Sequence, residues 1–252
     1  MVTITRSLAR LLRAVLRKAG LGKSGAQPDA FVHVSTDNDG LRLRVAGPDV
    51  VVEYRQPGEF GTAAFVLPVE VLAIIEGRTQ EPVSFDASDS GQIAISFAEH
   101  GVPQLLARTI DRTAKQPAWP ELPATYAENS AELWSALREA LATTDREPTR
   151  YALNCLQLRG RGDIAATDGH HILIQSGFAF PWVDNLLFPA KSVLGCKELD
   201  TDEPVRAGLL SDGRSSGSLS SIVWRAACSL AVSVLIVTIA CNRDMRSASL
   251  LS

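Results

Sequence analysis

The chain is poor in cysteine, and the cysteines that it has are far apart. Its four cysteines form no Cys-x-x-Cys pair; they are Cys155, Cys196, Cys228 and Cys241. This spacing argues against a zinc cluster or a disulfide framework and favours a reducing compartment. No signal peptide is recognisable either, because basic residues interrupt every apolar run near the amino terminus. We therefore expect a cytoplasmic protein.

The chain also lacks an excess of positive charge. Its 252 residues carry a formal net charge of −3, so a nucleic-acid site must be local rather than spread over the whole surface. No His-Glu-x-x-His motif occurs. The run Gly20-Leu21-Gly22-Lys23-Ser24 is not a phosphate-binding loop, because Arg17 stands where that motif requires glycine. We expect neither an enzyme nor a bound cofactor or metal.

Residues 5–19 have the pattern of an amphipathic helix that Gly20 can end. The apolar stripe has the helical period and consists of Leu8, Leu12, Val15 and Leu16. A basic stripe recurs at steps of four, three and four residues and so shares one face; it consists of Arg6, Arg10, Arg13 and Arg17. This basic face is solvated, or lies weakly on a membrane surface, or contacts DNA phosphates without reading the bases.

Alternating apolar residues next predict strands, most clearly within Phe31–Tyr54. We predict a second helix over Leu67–Gly77, with Pro68 in its first turn. Further short strands are predicted at Pro82–Phe85, Gln92–Phe97 and Gln104–Ala107. Residues 2–115 thus repeat a unit of one helix and a small sheet. An extended linker follows, marked by Pro117, Pro120 and Pro123.

The second half of the chain restarts this pattern. A helix through Ala142 can be capped by Asn129 or Ser130. Another helix is predicted to begin at Phe188, with a proline near its start, and Pro204–Leu210 has the pattern of a strand. The second half therefore has the composition of a second helix-and-sheet unit.

Residues 150–176 have the pattern of short strands joined by two glycine turns. Gly160-Arg161-Gly162 and Asp168-Gly169 supply these turns, since glycine adopts positive φ without steric cost. His170 and His171, beside Asp168, have residue types that metal or acid–base sites use. Adjacent residues on a strand point to opposite faces, however, so we expect no such site here.

Two motifs in this region resemble a known family. Arg150-Tyr151-x-Leu153-Asn154, followed by Ala166-Thr167-Asp168-Gly169-His170, resembles the central domain of the bacterial sliding clamp, the beta subunit of DNA polymerase III. The resemblance implies an α+β fold of repeated helix-plus-small-antiparallel-sheet units. It implies one complete domain and a partial second one, with a clamp-like domain over 1–116, a linker over 117–128, an incomplete central domain over 129–212, and a tail over 213–252.

The resemblance also implies two binding surfaces. The candidates for DNA contact are Arg10, Arg13, Arg17, Arg150, Tyr151, Lys191 and Lys197. The predicted second helix departs from this picture, because it carries Glu70 and Glu76 and no base before Arg78. A pocket for peptides is implied at Leu153, Thr167, Gly169, His170, His171 and Ile172, where apolar contacts would anchor the peptide. His171 and Ile172 stand where the family has arginine and leucine.

These features favour a sliding-clamp-like, DNA-associated processivity factor. Its expected partners are duplex DNA, further copies of the chain, and, by resemblance, peptides of the replicative polymerase and of clamp-loader subunits. No third clamp domain is recognisable, so we expect a divergent or truncated copy. The alternative is a protein-interaction scaffold that has the clamp fold without DNA binding and that its tail tethers to a membrane.

The tail is unlike the rest of the sequence. Residues 214–221 are rich in serine, and Ala226–Cys241 contains no charged residue. A membrane-spanning helix needs about 17–25 apolar residues, so this run is borderline in length. The tail is therefore a membrane anchor, or a hydrophobic strand or helix that completes the second domain, or a segment translated out of register after a frameshift.

Overall fold

The computed structural model of the chain describes residues 1–21, 30–47, 50–87, 91–109, 119–145, 153–199, 202–210, 220–228 and 232–241. The chain divides into two compact units, residues 1–47 with 52–119 and residues 48–51 with 120–252. Helices and small antiparallel sheets recur along it, so the expected α+β class is confirmed.

The part of the chain up to residue 109 contains two helices and eight strands among its described residues. In chain order these are β1 (Val2–Thr5), α1 (Arg6–Lys18), β2 (Phe31–Asp37), β3 (Gly40–Ala46), β4 (Val50–Gln56), β5 (Ala63–Pro68), α2 (Val71–Ile75), β6 (Pro82–Ala87), β7 (Gln92–Glu99) and β8 (Val102–Thr109). Strands β1, β6, β7 and β8 lie side by side in that order, and β5, β2, β3 and β4 do the same. The strands predicted in this part are confirmed.

Helix α1 forms as predicted. The Oγ1 atom of Thr5 accepts a hydrogen bond from the backbone N–H of Leu8 at 3.2 Å and so caps the first turn. The predicted apolar stripe is buried; it consists of Leu8, Leu12, Val15 and Leu16. Gly20 follows the helix at φ +81°, a conformation that disfavours other residues, and this is why the helix ends where predicted.

Arg6 does not lie on the solvated basic face. Its side chain is 10% exposed, and its guanidinium donates to the carbonyl oxygens of Ile75 at 3.3 Å, Glu76 at 2.8 Å and Ala98 at 2.6 Å. The guanidinium also lies 5.5 Å from the centre of the Phe97 ring. Arg6 therefore joins the start of α1 to the end of α2 and to β7, which helical periodicity alone could not indicate.

The second predicted helix is wrong in its extent. Leu67 and Pro68 belong to β5, and α2 contains only Val71–Ile75. Leu67 pairs with Val32 of β2, so the hydrogen bonds of the sheet determine the backbone here and Pro68 does not start a helix. The predicted burial of Leu72 and Ile75 is confirmed.

The part of the chain after residue 119 contains one α-helix, eight strands and two short 3-10 turns among its described residues. These are β9 (Tyr126–Asn129), α3 (Glu132–Thr143), β10 (Cys155–Arg159), β11 (Asp163–Thr167), β12 (Ile172–Ser176), β13 (Asn185–Pro189), the 3-10 turns Ser192–Gly195 and Lys197–Leu199, β14 (Val205–Leu210), β15 (Ser220–Cys228) and β16 (Val232–Cys241). Strands β12, β11, β10 and β13 form one sheet in that order, and β16, β15, β14 and β9 also lie side by side.

Neither predicted cap begins α3. The N-cap is Ala131, which has no side-chain hydrogen bond, because Asn129 is the last residue of β9. The Asn129 side chain instead accepts from the backbone N–H of Ala179 at 2.7 Å and donates to its carbonyl oxygen at 3.0 Å. Asn129 thus stabilises a distant loop rather than the helix.

The helix predicted at Phe188 is also wrong. Phe188 and Pro189 end β13, where they pair with Leu156 and Cys155 of β10, and the chain turns only from Ser192 onward, in 3-10 rather than α-helical form. Pro189 is the final residue of its strand, a position where its missing N–H interrupts little of the ladder.

Strands β15 and β16 place much of the tail in a sheet. They form an antiparallel hairpin, and β15 pairs with β14 from Val205↔Ala226 to Leu210↔Ser221. Trp224 is fully buried, with ring centres 6.3 Å from Trp134 and 6.4 Å from Phe188. Of the three accounts of the tail, this arrangement fits the one in which it completes the second unit. Within the described residues, no helix is long and apolar enough to cross a membrane.

Candidate functional site

The basic face of α1 consists of Arg10, Arg13 and Arg17. Arg10 and Arg17 are exposed, and two helical turns separate them, or about 10 Å along the axis. Within the described residues, neither side chain forms an ion pair. Arg13 differs, since its guanidinium forms an ion pair with the carboxylate of Glu76, just after α2. Among the described residues, the face thus offers two cations without an ion pair and a third that Glu76 partly neutralises.

The other predicted DNA contacts are not brought together by the described structure. Lys191 precedes the first 3-10 turn and is partly exposed, whereas Lys197 begins the second turn and is exposed. Arg150 and Tyr151 lie outside the described residues.

The six predicted peptide contacts surround the turn between β11 and β12. We name this set of residues the turn surface; it consists of Leu153, Thr167, Gly169, His170, His171 and Ile172. Thr167 pairs with Ile172 across the two strands, so their side chains lie on the same face. Gly169 has φ +89°, and a Cβ on it would lie 3.5 Å from the Cδ1 atom of Leu153. The structure therefore places these residues close together.

Hydrogen bonds within the turn surface hold its backbone. The Oγ1 atom of Thr167 donates to the carbonyl oxygen of His171 at 2.6 Å and accepts from the N–H of Gly169 at 3.0 Å. One carboxylate oxygen of Asp168 accepts from the N–H groups of His170 at 2.8 Å and His171 at 2.6 Å. Its other oxygen lies 3.0 Å from the Nδ1 atom of His171. Asp168 therefore organises the turn.

The apolar part of the turn surface continues along β12. Ile172 is 51% exposed and Ile174 is 47% exposed, and two-residue spacing places both on one face of the strand. Ile174 was not among the predicted contacts, although its alternation with Ile172 was the available signal. Because both side chains are about half exposed, this apolar face is open to a partner. Strand β12 is also at the edge of its sheet among the described strands.

The histidines of the turn belong to no metal-binding cluster within the described part of the chain. Among the residues that the structure describes, no cluster of His, Cys, Asp and Glu is arranged to hold a metal ion. The reason given from the sequence was wrong, because His170 and His171 lie in the turn before β12 and not on a strand. His33 lies buried in β2 opposite Arg44, and burial lowers its pKa.

Acid should weaken the turn surface. The backbone N–H of His171, its ring and the N–H of His170, in that order, hold the pKa of Asp168 well below its usual range. Because the pKa is lower in the folded chain, the ionised carboxylate stabilises the turn above the usual aspartate pKa of about 3.9, and this stabilisation is lost as pH falls below it. The measurement is an NMR titration of the His170 and His171 amides from about pH 6 to pH 2.

We expect the part of the movement of these amide signals that depends on the Asp168 carboxylate to occur only below about pH 4, and the Asp168→Asn variant should lack that part. A midpoint at or above the ordinary aspartate pKa would contradict the hydrogen-bonded carboxylate.

Comparisons with known proteins relate this architecture to solved structures. No protein-family model and no curated protein matches the sequence. The beta subunit of DNA polymerase from Streptococcus pyogenes matches with a TM-score of 0.71 at 15% identity, over 95% of this chain and 64% of that one. A sliding clamp from Bartonella birtlesii bound to griselimycin matches with a TM-score of 0.70 at 18% identity, over the same shares of the two chains. The chain has the sliding-clamp fold.

One solved structure with this fold has nearly the length of the present chain. A. fulgidus PCNA, solved with the C-terminal region of FEN-1 bound, matches with a TM-score of 0.65 at 13% identity, over 96% of this chain and 97% of that one. By contrast, the chain spans 64% of the length of the bacterial clamps above. The predicted sliding-clamp fold is thus confirmed.

Proposed function

We propose that the chain acts as a sliding-clamp-like protein that contacts duplex DNA and docks peptides of replication proteins in the cytoplasm. The observation that carries this proposal is the similarity to sliding clamps over 95% of the chain. The exposed arginines of α1 and the apolar turn surface support it, since the first suit a polyanion and the second suits a peptide.

The proposed DNA contacts are electrostatic and independent of sequence. Arg10 and Arg17 form no ion pair among the described residues and can each bind a phosphate, whereas Arg13 must share its charge with Glu76. Phosphate contacts release counterions, so the affinity should fall steeply as salt rises. Such contacts do not depend on the base sequence, so they allow a protein to slide along the duplex.

Retention on circular DNA tests this proposal. The chain should stay with a nicked circular plasmid in gel filtration at low salt, and a single cut in the plasmid should release it. Arg10→Ala with Arg17→Ala should flatten the slope of log affinity against log salt by about 2, because each lost phosphate contact removes about 1. Arg13→Ala should have a smaller effect because Glu76 already neutralises part of its charge.

The matched control is Arg42→Ala, which removes an arginine of β3 that pairs with Asp37 and Asp39 and should leave retention unchanged. Equal retention on circular and linear DNA would indicate a static binder. Absence of retention on both would favour the scaffold without DNA binding.

Encircling DNA requires several copies of the chain, and two strand edges can join them. Strand β8 ends its sheet among the described strands and exposes Val102 and Leu105, and β12 ends another sheet. Open edges of this kind accept a strand from a second molecule. We therefore include a homo-oligomer in the proposal. The number of copies is measured as the mass of the protein by light scattering, on the same sample and before DNA is added.

Peptide docking is proposed for the turn surface. The structure of A. fulgidus PCNA with the C-terminal region of FEN-1 supports it, since that protein has the same fold and holds a segment of another protein. Leu153 and Ile172 would anchor apolar side chains of a peptide, as apolar contacts do in such grooves. The proposed partners are segments of the replicative polymerase and of clamp-loader subunits.

A further inference from the structure

The ring of His171 is held from one side only. Its Nδ1 atom lies 3.0 Å from a carboxylate oxygen of Asp168, while 79% of the side chain is exposed. An ionised carboxylate can only accept hydrogen bonds, so Nδ1 must carry the proton that the two atoms share. In a neutral imidazole whose Nδ1 is protonated, Nε2 is an acceptor.

We propose that Asp168 fixes His171 in the tautomer protonated at Nδ1, so that Nε2 accepts a hydrogen bond from a donor group of the peptide that docks at the turn surface. This inference rests on the proposed docking function and names the chemistry of the partner. Asp168 acts as a positioning residue, and His171 determines specificity.

The other polar side chains of the turn are less suited than His171 to accept a hydrogen bond from a peptide. The Thr167 hydroxyl is engaged with the backbone at both its donor and its acceptor side. Both carboxylate oxygens of Asp168 are engaged with the two histidines. The ring of His170 has no partner among the described residues, so nothing there selects a tautomer. Nε2 of His171 is therefore the side-chain acceptor in the turn whose protonation is set by a contact in the structure, that of Nδ1 with Asp168.

The position of His171 beside Ile172 indicates which side chains a fitting peptide carries. It precedes Ile172, and both side chains are more than half exposed. A fitting peptide places an apolar side chain against Ile172 and a donor, such as an amide N–H₂, a hydroxyl or an ammonium group, within reach of Nε2. A carboxylate at that position is disfavoured, because two acceptors would face each other beside the negative charge of Asp168.

The tautomer can be measured without any peptide. Long-range proton–nitrogen correlation spectra of the ¹⁵N-labelled full chain, at about pH 8.5 where histidine rings are generally neutral, distinguish a protonated from an unprotonated ring nitrogen. We expect Nε2 of His171 to be unprotonated, while His170 serves as the internal comparison with averaged signals. Asp168→Ala should average the His171 signals as well, and Asp168→Asn, whose side-chain oxygen still accepts, should restore much of the bias.

A proton on Nε2 of His171 in the unchanged chain would overturn the inference. The amide signals of β11 and β12 show whether Asp168→Ala keeps the hairpin. If that variant loses the hairpin, the tautomer of His171 measured in the unchanged chain still decides the outcome.

The partner chemistry is tested with a random hexapeptide library displayed on phage. The unchanged chain should select peptides with a donor side chain at one fixed position beside an apolar residue. His171→Phe should remove that preference while keeping the apolar one, and it should bind the selected peptides about 3–10-fold more weakly, as loss of one hydrogen bond predicts.

The outcomes separate the two proposals. If no peptide is enriched over the variant Ile172→Asp, docking at the turn surface fails, and the partner assignment fails with it, whatever tautomer the spectra show. If peptides are enriched but an acidic residue or no preference occurs at the fixed position, docking stands and the inference about His171 is overturned.

Discussion

Replacing Arg6 with alanine should lower the free energy of unfolding of the first unit by about 3 kcal/mol. The change leaves the carbonyl oxygens of Ile75, Glu76 and Ala98 without their donor. It also removes a cation from the face of the Phe97 ring. A buried acceptor that loses its partner bears the full cost of its desolvation, so the loss should exceed that of a typical surface substitution.

Urea unfolding, together with hydrogen exchange of residues 6–18 and 71–77, measures this effect. The matched control is Arg10→Ala, which removes the same side chain from an exposed position of the same helix and should change stability by at most about 0.5 kcal/mol. Equal effects of the two substitutions would show that the buried contacts of Arg6 contribute nothing.

Replacing Trp224 with alanine should destabilise the second unit by about 3–5 kcal/mol, the usual cost of emptying a large aromatic site in a core. Trp224 is fully buried against Trp134 and Phe188. The expected effect is large because three aromatic rings lose their mutual contact, and it tests directly whether β15 belongs to the core.

Near-ultraviolet circular dichroism during urea unfolding follows this change. Trp224→Phe keeps an aromatic ring at the site and should cost less than half as much as the alanine variant. Val183→Ala, at a side chain that is 95% exposed, should be neutral. A cost below about 1 kcal/mol for Trp224→Ala would remove β15 from the folded core.

Local patterns predicted the parts of the fold that depend on neighbouring residues. Helix α1 followed from its periodic leucines and from Gly20, and the hairpin of β11 and β12 followed from Asp168-Gly169. In both cases the decisive contacts join residues only a few positions apart. The six residues of the turn surface were predicted together for the same reason, because most of them belong to one hairpin.

Contacts between distant residues explain the predictions that were wrong. Pro68 can begin a helix, but the pairing of Leu67 with Val32 holds that segment in a sheet. Asn129 is a good cap, but Ala179, 50 residues away, uses its side chain. Arg6 has the helical spacing of the exposed arginines, but its partners lie beyond residue 74. None of these partners can be identified from local sequence alone.

The strand pairing at the amino terminus has a consequence for how the protein is made. Strand β1 pairs with β6, and Arg6 donates to Ala98, 92 residues later. While the ribosome synthesises the chain, β1 and Arg6 therefore cannot form these contacts until β6 and Ala98 have been translated. At translation rates of about 5–20 residues per second this interval is on the order of 10 s. During that time the apolar stripe of α1 in the nascent segment lacks the later segments that cover it in the folded unit, so it is exposed to solvent.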